Sequence, residues 1–492
     1  MLRKRYNGSG SVLLRIISCI VFFSVTVIGQ EPKPGPTRTA AVPAVKETKL
    51  KNGLTVAVVE KRNVPLVTVQ LLVRSGASSD EMEKAGLADL TATMLTKGTK
   101  TRTATQIAEE MEFLGGSLGS GAGWDNSSVS ISVTSDKLAQ AMAIMSEVVI
   151  DPTFPQAELD LLRSQALDGL TYNLTQPGFL TNYVASVYSL KEIPSGGTPE
   201  SLAAITRADI EGSYRGNFLP RNSILIFAGD ITSADAVKMA DTYFGRWVRP
   251  DPEKGFAAME EGDPSNKTPT NRILVIDLPN SGQASVSYVR PAGFGREAED
   301  GAPDARYYAA STLNSLFGGG YSSRLNQEIR IKRGLSYGAG SSFAWRYDKA
   351  NFSTRTQTKN ESAAEVAELL LSEINRLIDG AIPASELDPR KAVLTGGFSR
   401  NIETTRGLVN ALADLYTFDI PTSELNRYMT SVNAVTDKEI RDLAKGHLLG
   451  GDIIIVGDYA KFREDLAKRF PNIKPDVIPV AELDITKPNL RK

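Results

Sequence analysis

Cysteine and histidine are almost absent from this chain of 492 residues, which excludes several kinds of chemistry. Cys19 is the only cysteine and lies in an N-terminal apolar segment, so the rest of the chain cannot form thiolate metal sites, disulfides or a cysteine nucleophile. His447 is the only histidine. It follows a helical pattern, where histidine usually interacts with the carboxyl end of the helix dipole. We interpret it as structural.

Neither positive nor negative side chains are in excess. The chain has 56 lysines and arginines against 57 aspartates and glutamates, a formal net charge of −1. The chain therefore lacks the basic excess that is typical of nucleic-acid-binding proteins. A peptide or protein partner is left open by this composition.

The N-terminus is typical of a secretory signal. Arg3, Lys4, Arg5 and Arg15 precede an apolar run over 16–28 that ends at Gly29. The run is short for a membrane span. We predict a signal peptide at 1–29, a flexible tether rich in Pro, Thr and Ala at 30–44, and a secreted or periplasmic location. An uncleaved signal is the alternative, and it would be the chain's only membrane contact.

Local patterns along the first half predict both strands and helices. Asn52-Gly53 indicates a tight turn between strands, and a second strand is predicted at 66–73. Thr103 and Gln106 match a capping box in front of a helix at 105–114. A strand at 127–133 and a helix at 137–149 follow. This order predicts an α+β fold rather than regular βαβ units.

The segment Gly86–Thr99 predicts an amphipathic helix whose polar face is the central feature of the chain. Its apolar arc, predicted to face the core, consists of Leu87, Ala88, Leu90, Met94 and Leu95. The opposite arc, predicted to face a cleft or solvent, consists of Asp89, Ala92, Thr93 and Thr96. The inverted zinc motif His-x-x-Glu-His would occupy this second face, but none of its residue types is present.

Two motifs recur at one interval and indicate a duplicated domain. Phe154–Asp160 recurs as Ile382–Asp388, and Ile224–Asp230 recurs as Ile453–Asp458. The offset is 228 residues both from Pro155 to Pro383 and from Asp230 to Asp458. Trp124 and Trp345 are 221 residues apart. We predict homologous domains at 45–255 and 272–492, joined by a linker at 256–271 rich in turn-forming residues.

Several motifs together resemble the insulinase and mitochondrial-processing-peptidase family over about residues 45–465. They are Lys51–Val56, Arg74–Ser79, Met94–Thr99, Gly318–Leu325 and Glu328–Tyr337. The resemblance implies two homologous α+β domains, each with antiparallel-rich sheets flanked by helices.

The resemblance also implies that the catalytic zinc site has been lost. In active members, the first histidine, the glutamate and the second histidine of the motif would align with Asp89, Ala92 and Thr93, and a further glutamate ligand with Gly169. A catalytic zinc needs about three protein ligands and a base. We therefore predict no metal and no catalytic residue in this chain.

A second functional segment lies in the second half. The resemblance implies that Arg333 and Tyr337 hold a peptide substrate, since Arg offers a donor fork and Tyr a hydroxyl, and that Gly318, Gly319 and Gly320 help admit it. The alternative is that Arg333 only ends a helix and that Tyr337 packs in a strand.

Two glycine patterns point to chemistry that their surroundings do not support. Ser117 lies in a Gly-x-Ser-x-Gly pattern, but a helix precedes it where a nucleophile elbow needs a strand, so we interpret it as a turn residue. The triple glycine is followed by no Lys-Ser/Thr pair, so it is not a phosphate loop.

The favoured function is a zinc-free subunit of an exported insulinase-family peptidase complex. It would supply Arg333 and Tyr337 in trans to a zinc-bearing partner in a heterodimer. The alternatives are a non-enzymatic structural or peptide-binding homodimer and, more weakly, a self-sufficient metallopeptidase with unfamiliar ligands.

Overall fold

The computed structural model describes residues 42–248, 270–296 and 304–492, together with the backbone alone of 298–299 and 302–303. The predicted signal peptide, residues 30–41 of the tether and residues 256–269 of the linker lie outside these described residues.

The first half alternates strands and helices as an α+β chain. Its elements are β1 (Val45–Lys49), β2 (Thr55–Glu60), β3 (Leu66–Val73), α1 (Leu87–Met94), α2 (Ala104–Phe113), β4 (Ser117–Ala122), β5 (Ser127–Thr134), α3 (Leu138–Ile150), α4 (Gln156–Asn173), α5 (Pro177–Tyr188), α6 (Pro199–Ala204), α7 (Arg207–Asn217), β6 (Ser223–Gly229) and α8 (Ser233–Phe244).

The second half has a similar order. Its elements are β7 (Ile273–Asp277), β8 (Ala284–Pro291), β9 (Ala298–Glu299), β10 (Ala302–Pro303), α9 (Arg306–Phe317), a π-helical segment (Asn326–Lys332), β11 (Ser336–Trp345), β12 (Ala350–Thr358), α10 (Ala363–Asp379), α11 (Ala384–Ile402), α12 (Thr405–Thr417), α13 (Glu424–Ala434), α14 (Asp437–His447), β13 (Asp452–Gly457), α15 (Arg463–Arg469) and β14 (Asp476–Pro479).

Each half contains a six-stranded sheet, and the two sheets share a topology. The strand orders are β4-β5-β3-β6-β2-β1 and β11-β12-β8-β13-β7-β14. In both, the first four strands are antiparallel neighbours and the fifth is parallel to the fourth. Only the sixth strand differs, since β1 is antiparallel to β2 whereas β14 is parallel to β7. Two homologous halves, predicted from the sequence repeat, and their antiparallel-rich sheets, implied by the family resemblance, are confirmed.

Local sequence explains several of these elements directly. Gly53 adopts φ +90° in the turn between β1 and β2, a conformation that glycine tolerates and most residues do not. Thr103 and Gln106 form the predicted capping box of α2. Strand β5 alternates buried and half-buried residues, as a strand covered more heavily on one face does.

Strand β4 is an element that the sequence patterns did not predict. It contains serine, glycine and alanine with a single leucine, a composition with low β propensity. It forms because its backbone pairs with the whole of β5, from Ser117 opposite Ser132 to Ala122 opposite Ser127. The interpretation of Ser117 as a turn residue is therefore wrong, because Ser117 is the first residue of this edge strand.

The polar face of α1 is narrower than predicted. Ala92 is fully buried, which corrects its assignment to a face exposed to a cleft or solvent, while Asp89 is exposed and Thr93 half-buried. The helix packs against β4 and β5 on one side and against α4 and α7 on others. Because several elements surround it, its buried arc extends beyond a single apolar stripe. Among the described residues, no helix has the length and apolarity needed to cross a membrane.

Candidate functional site

The positions aligned with the zinc ligands do not fit a zinc ion. Asp89 is the only one of the four with a carboxylate, and its Oδ1 accepts a long hydrogen bond of 3.4 Å from the backbone N–H of Ala122. A Cβ built on Gly169 would meet no atom within 4 Å. The space that a ligand side chain would occupy at this position is therefore open. Searched over the described residues, the structure contains no group of three or more His, Cys, Asp or Glu side chains placed to hold a metal.

A wide cleft lies in the second half, beside the free edge of the second sheet. Its volume is about 1170 Å³. Strands β11 and β12 form one wall, the Gly318–Tyr321 segment and the π-helical segment form another, and Gly178, Phe179 and Asn182 of α5 reach it from the first half. The cleft is large enough for several residues of a peptide.

Arg330 lies between two tyrosines at the wall of this cleft. Its guanidinium carbon is 5.1 Å from the ring centre of Tyr321 and 4.9 Å from that of Tyr337. Both distances are within the range of a cation–π contact. Within the described part of the chain, the Arg330 guanidinium has no carboxylate partner and no hydrogen-bond acceptor. Arg330 thus lines the cleft with donors that no described acceptor uses.

A β-bulge exposes Tyr337. The pairing of β11 with β12 shifts by one residue between Ser336 and Ala339, and a bulge of this kind redirects a side chain. The Ser336 hydroxyl stabilises the bulge by donating to the Gly338 carbonyl at 2.6 Å and accepting from the Gly338 N–H at 3.0 Å. Tyr337 is consequently 91% exposed, rather than packed within its strand.

Arg333 has a different environment from Arg330. It is the C-terminal cap of the π-helical segment, followed by Gly334 at φ +64°. Its guanidinium forms an ion pair with Glu328 and a longer one of 3.9 Å with Glu365. Arg333 is not among the residues that line the cleft. The structure thus brings Tyr337 together with Arg330, three residues earlier than the arginine that sequence reasoning selected.

The three glycines line the cleft, and two of them are required by close backbone packing. A Cβ on Gly318 would lie 2.3 Å from the backbone nitrogen of Ser341 in β11, and one on Gly319 would lie 2.9 Å from the carbonyl oxygen of Asn314. Gly320 has open space. Side chains at the first two positions would push this segment away from β11 and alter the wall of the cleft.

A second polar group, which we term the junction cluster, joins the two halves of the chain. It consists of Glu192 from the first half with Arg346, Lys349 and Asn351 from the second. Arg346 donates two bonds of 3.2 Å to the Glu192 carboxylate, Asn351 donates one of 2.7 Å, and Lys349 lies 3.3 Å away. The Glu192 side chain is only 3% exposed. The guanidinium of Arg346 also stacks over Trp124.

Asp125, beside this cluster, is a buried carboxyl with an altered pKa. Burial raises its pKa to about 6, and the nearby charge of Arg346 opposes this rise only in part. The folded-state pKa is above the ordinary value of 3.8, so the folded protein binds this proton more tightly than the unfolded chain. The contribution of Asp125 to stability is therefore greatest below about pH 4 and is lost as pH rises towards 6.

The substitution Asp125→Asn tests this assignment. The variant should gain stability relative to the wild type as pH rises from about 4 to 7, by up to about 2–3 kcal/mol, because it removes the cost of the buried charge. Urea unfolding of both proteins at several pH values measures the difference. A difference that does not change with pH would contradict the buried, titrating carboxyl.

His447 occupies the structural position that its sequence context predicts. It is the last residue of α14, and its Nδ1 is hydrogen-bonded to the carbonyl of Ala292. Its ring also contacts Phe294. Burial lowers its pKa. These contacts account for the side chain without a catalytic role.

The duplicated sheets, the helical face without zinc ligands and the open cleft define a peptidase-like chain, and no group of metal-ligating side chains occurs among its described residues. Two family models match it: one described as insulinase (peptidase family M16) over residues 55–177, and one described as peptidase M16 inactive domain over residues 204–394. The chain belongs to the insulinase family.

Similar proteins carry both active and inactive descriptions. An uncharacterized zinc protease of Rickettsia bellii is 28% identical over 338 residues, which are 68% of this chain and 78% of the relative. A protein of Helicobacter pylori described as a non-peptidase homolog is 22% identical, covering 79% of this chain and 88% of the relative. The crystal structure of a peptidase M16 inactive domain from Pseudomonas fluorescens matches with a TM-score of 0.75 and 26% identity, covering 84% of this chain and 98% of that one.

Proposed function

We propose that this chain is the non-catalytic subunit of an exported insulinase-family peptidase, and that it holds the peptide substrate for a zinc-bearing partner. The observation that carries the proposal is the contrast between the two sites. Only one of the four zinc-ligand positions retains a ligand residue type, whereas the cleft retains an exposed tyrosine beside a guanidinium with unused donors.

Arg330 and Tyr337 are the residues we assign to substrate binding. A guanidinium presents a rigid fork of donors and stays charged at every relevant pH, and a phenolic hydroxyl adds a neutral donor. Both can donate to carbonyl oxygens of an extended peptide in the cleft. The ring of Tyr321 is a second cation–π contact of Arg330, and the glycine segment keeps this wall open. Arg333 is the alternative arginine, and its ion pair with Glu328 favours a role in ending the π-helical segment.

The export part of the proposal rests on the N-terminal sequence pattern. The basic residues, the apolar run and Gly29 favour a cleaved signal and a secreted or periplasmic location. N-terminal sequencing of the protein purified from the producing cell would test this directly. A mature chain beginning close to Gln30 supports export, and an intact N-terminus contradicts cleavage.

Mixing the chain with a zinc-bearing subunit tests the main proposal. The partner should be an insulinase-family chain with the His-x-x-Glu-His motif from the same genome. Combining the two should raise the hydrolysis rate of a fluorogenic peptide about tenfold or more over the partner alone, because the partner gains positioned donors. Size-exclusion chromatography should show a heterodimer, and the chain alone should hydrolyse nothing.

The other outcomes separate the alternatives. If the mixture is no faster than the partner alone and the chain elutes as a dimer with itself, a structural or peptide-binding homodimer is favoured. Hydrolysis by the isolated chain that a chelator abolishes would instead favour a self-sufficient metallopeptidase.

A further inference from the structure

The cleft has an unusual charge distribution for a protein that is almost neutral overall. Among its described lining residues, the charged side chains are Arg330 and Arg355, and none is a carboxylate. The rest are glycines, hydroxyl and amide residues, two tyrosines, a phenylalanine and an alanine. The whole chain has a net charge of −1, so this local excess of positive charge does not follow from composition.

Arg355 is exposed on β12, opposite Gly340 of the edge strand β11. Because Gly340 has no side chain, nothing from this position covers Arg355. Gly338, two residues earlier on β11, also lines the cleft. Within the described residues, Arg355 has no ion pair or side-chain hydrogen bond. Its charge therefore has no internal acid to neutralise it.

Arg330 is the second cleft arginine that can bind an anion. The ring centres of the two tyrosines lie 5.1 and 4.9 Å from its guanidinium carbon, and no described carboxylate engages its donors. A guanidinium without an internal partner can bind a carboxylate with two parallel hydrogen bonds. Like-signed charges in a cleft also attract an oppositely charged ligand before contact.

We infer that the cleft selects acidic peptides, with Arg355 as a specificity-determining residue that binds a Glu or Asp side chain of the substrate. This inference rests on the proposed function, because it names the substrate class of the same cleft. Arg330 serves both the backbone and the acidic group, whereas Arg355 serves the acidic side chain only. Binding should therefore depend on both peptide charge and salt concentration.

Calorimetric titration of the purified chain with short matched peptides tests the inference without any partner. The peptides are identical except for central residues that are Glu in one, Gln in the second and Lys in the third. We expect the Glu peptide to bind about tenfold or more tightly than the Gln peptide, because a charge-assisted hydrogen bond is stronger than a neutral one. The difference should decrease between about 50 and 500 mM salt.

Two charge-removing variants sharpen the test. Arg355→Ala should reduce the preference for the Glu peptide over the Gln peptide about fivefold or more. Lys359→Ala is the matched control, because it removes one exposed charge that lies just beyond β12 and outside the cleft lining. It should leave all affinities within about twofold.

The results distinguish this inference from the proposed function. Equal binding of the Glu and Gln peptides, preference for the Lys peptide or no binding of any peptide would overturn acidic selectivity. A chain that stimulates a zinc-bearing partner on neutral peptides but shows no acidic preference overturns the inference alone. Acidic preference without any stimulation supports the inference and contradicts the catalytic assembly.

Discussion

Arg330→Ala is expected to abolish most of the stimulation that this chain gives to a zinc-bearing partner. The predicted loss is about 30- to 100-fold in kcat/KM of the mixture, because a charge-assisted hydrogen bond of about 2–3 kcal/mol to the bound peptide disappears. Formation of the heterodimer, followed by size-exclusion chromatography, should be unchanged. Tyr337→Phe should cost about tenfold, since only a neutral hydroxyl is removed.

Arg333→Ala is the matched control for this prediction. Its guanidinium is engaged by Glu328 and Glu365 and lies outside the cleft lining. The variant should keep kcat/KM of the mixture within about threefold and lose at most about 1 kcal/mol of stability, as expected for a half-exposed ion pair. If Arg333→Ala loses the stimulation and Arg330→Ala keeps it, the arginine selected from the sequence is the functional one and our assignment is wrong.

Glu192→Ala is expected to be among the most destabilising single substitutions in the chain. The carboxylate is almost fully buried and satisfies Arg346, Lys349 and Asn351. Removing it takes the buried acceptor away from two partly buried cations, and deleting one partner of a buried ion pair typically costs about 3–5 kcal/mol. Because Glu192 belongs to the first half and its partners to the second, the loss should weaken the attachment of the two halves.

Urea unfolding followed by circular dichroism measures this cost. Glu200→Ala is a suitable control, since this exposed glutamate lies eight residues further along the chain; it should change stability by less than about 0.5 kcal/mol. A Glu192→Ala variant as stable as this control would show that the junction cluster contributes little. Glu192→Gln should lie between the two, because the amide oxygen still accepts hydrogen bonds while the charge is lost.

The fold was largely predictable from the sequence because its signals are local and repeated. The offset of 228 residues between matching motifs predicted two homologous halves, and the shared strand order bears this out. The capping box at Thr103 and the alternation in β5 depend only on neighbouring residues. Strand β4 was missed because serine and glycine become a strand here only through pairing with β5.

The burial of Ala92 was also not predictable from the helical period of α1. Periodicity locates the centre of an apolar face, but the width of the buried arc depends on how many elements pack around the helix. Contacts with β4, α4 and α7, which are distant in sequence, decide that width. A small alanine side chain gives no sign of its own, since it fits both a core and a surface.

By itself, the sequence determined that the four positions aligned with the zinc ligands of the family carry only one residue of a ligand type, Asp89. Only the tertiary structure decided which arginine accompanies Tyr337. Arg330 and Arg333 lie three residues apart in one segment and are chemically identical. The first lines the cleft beside the rings of Tyr321 and Tyr337, and the carboxylate of Glu328 engages the second. The surroundings of each arginine side chain depend on neighbours that folding brings together. A local sequence pattern does not contain that information.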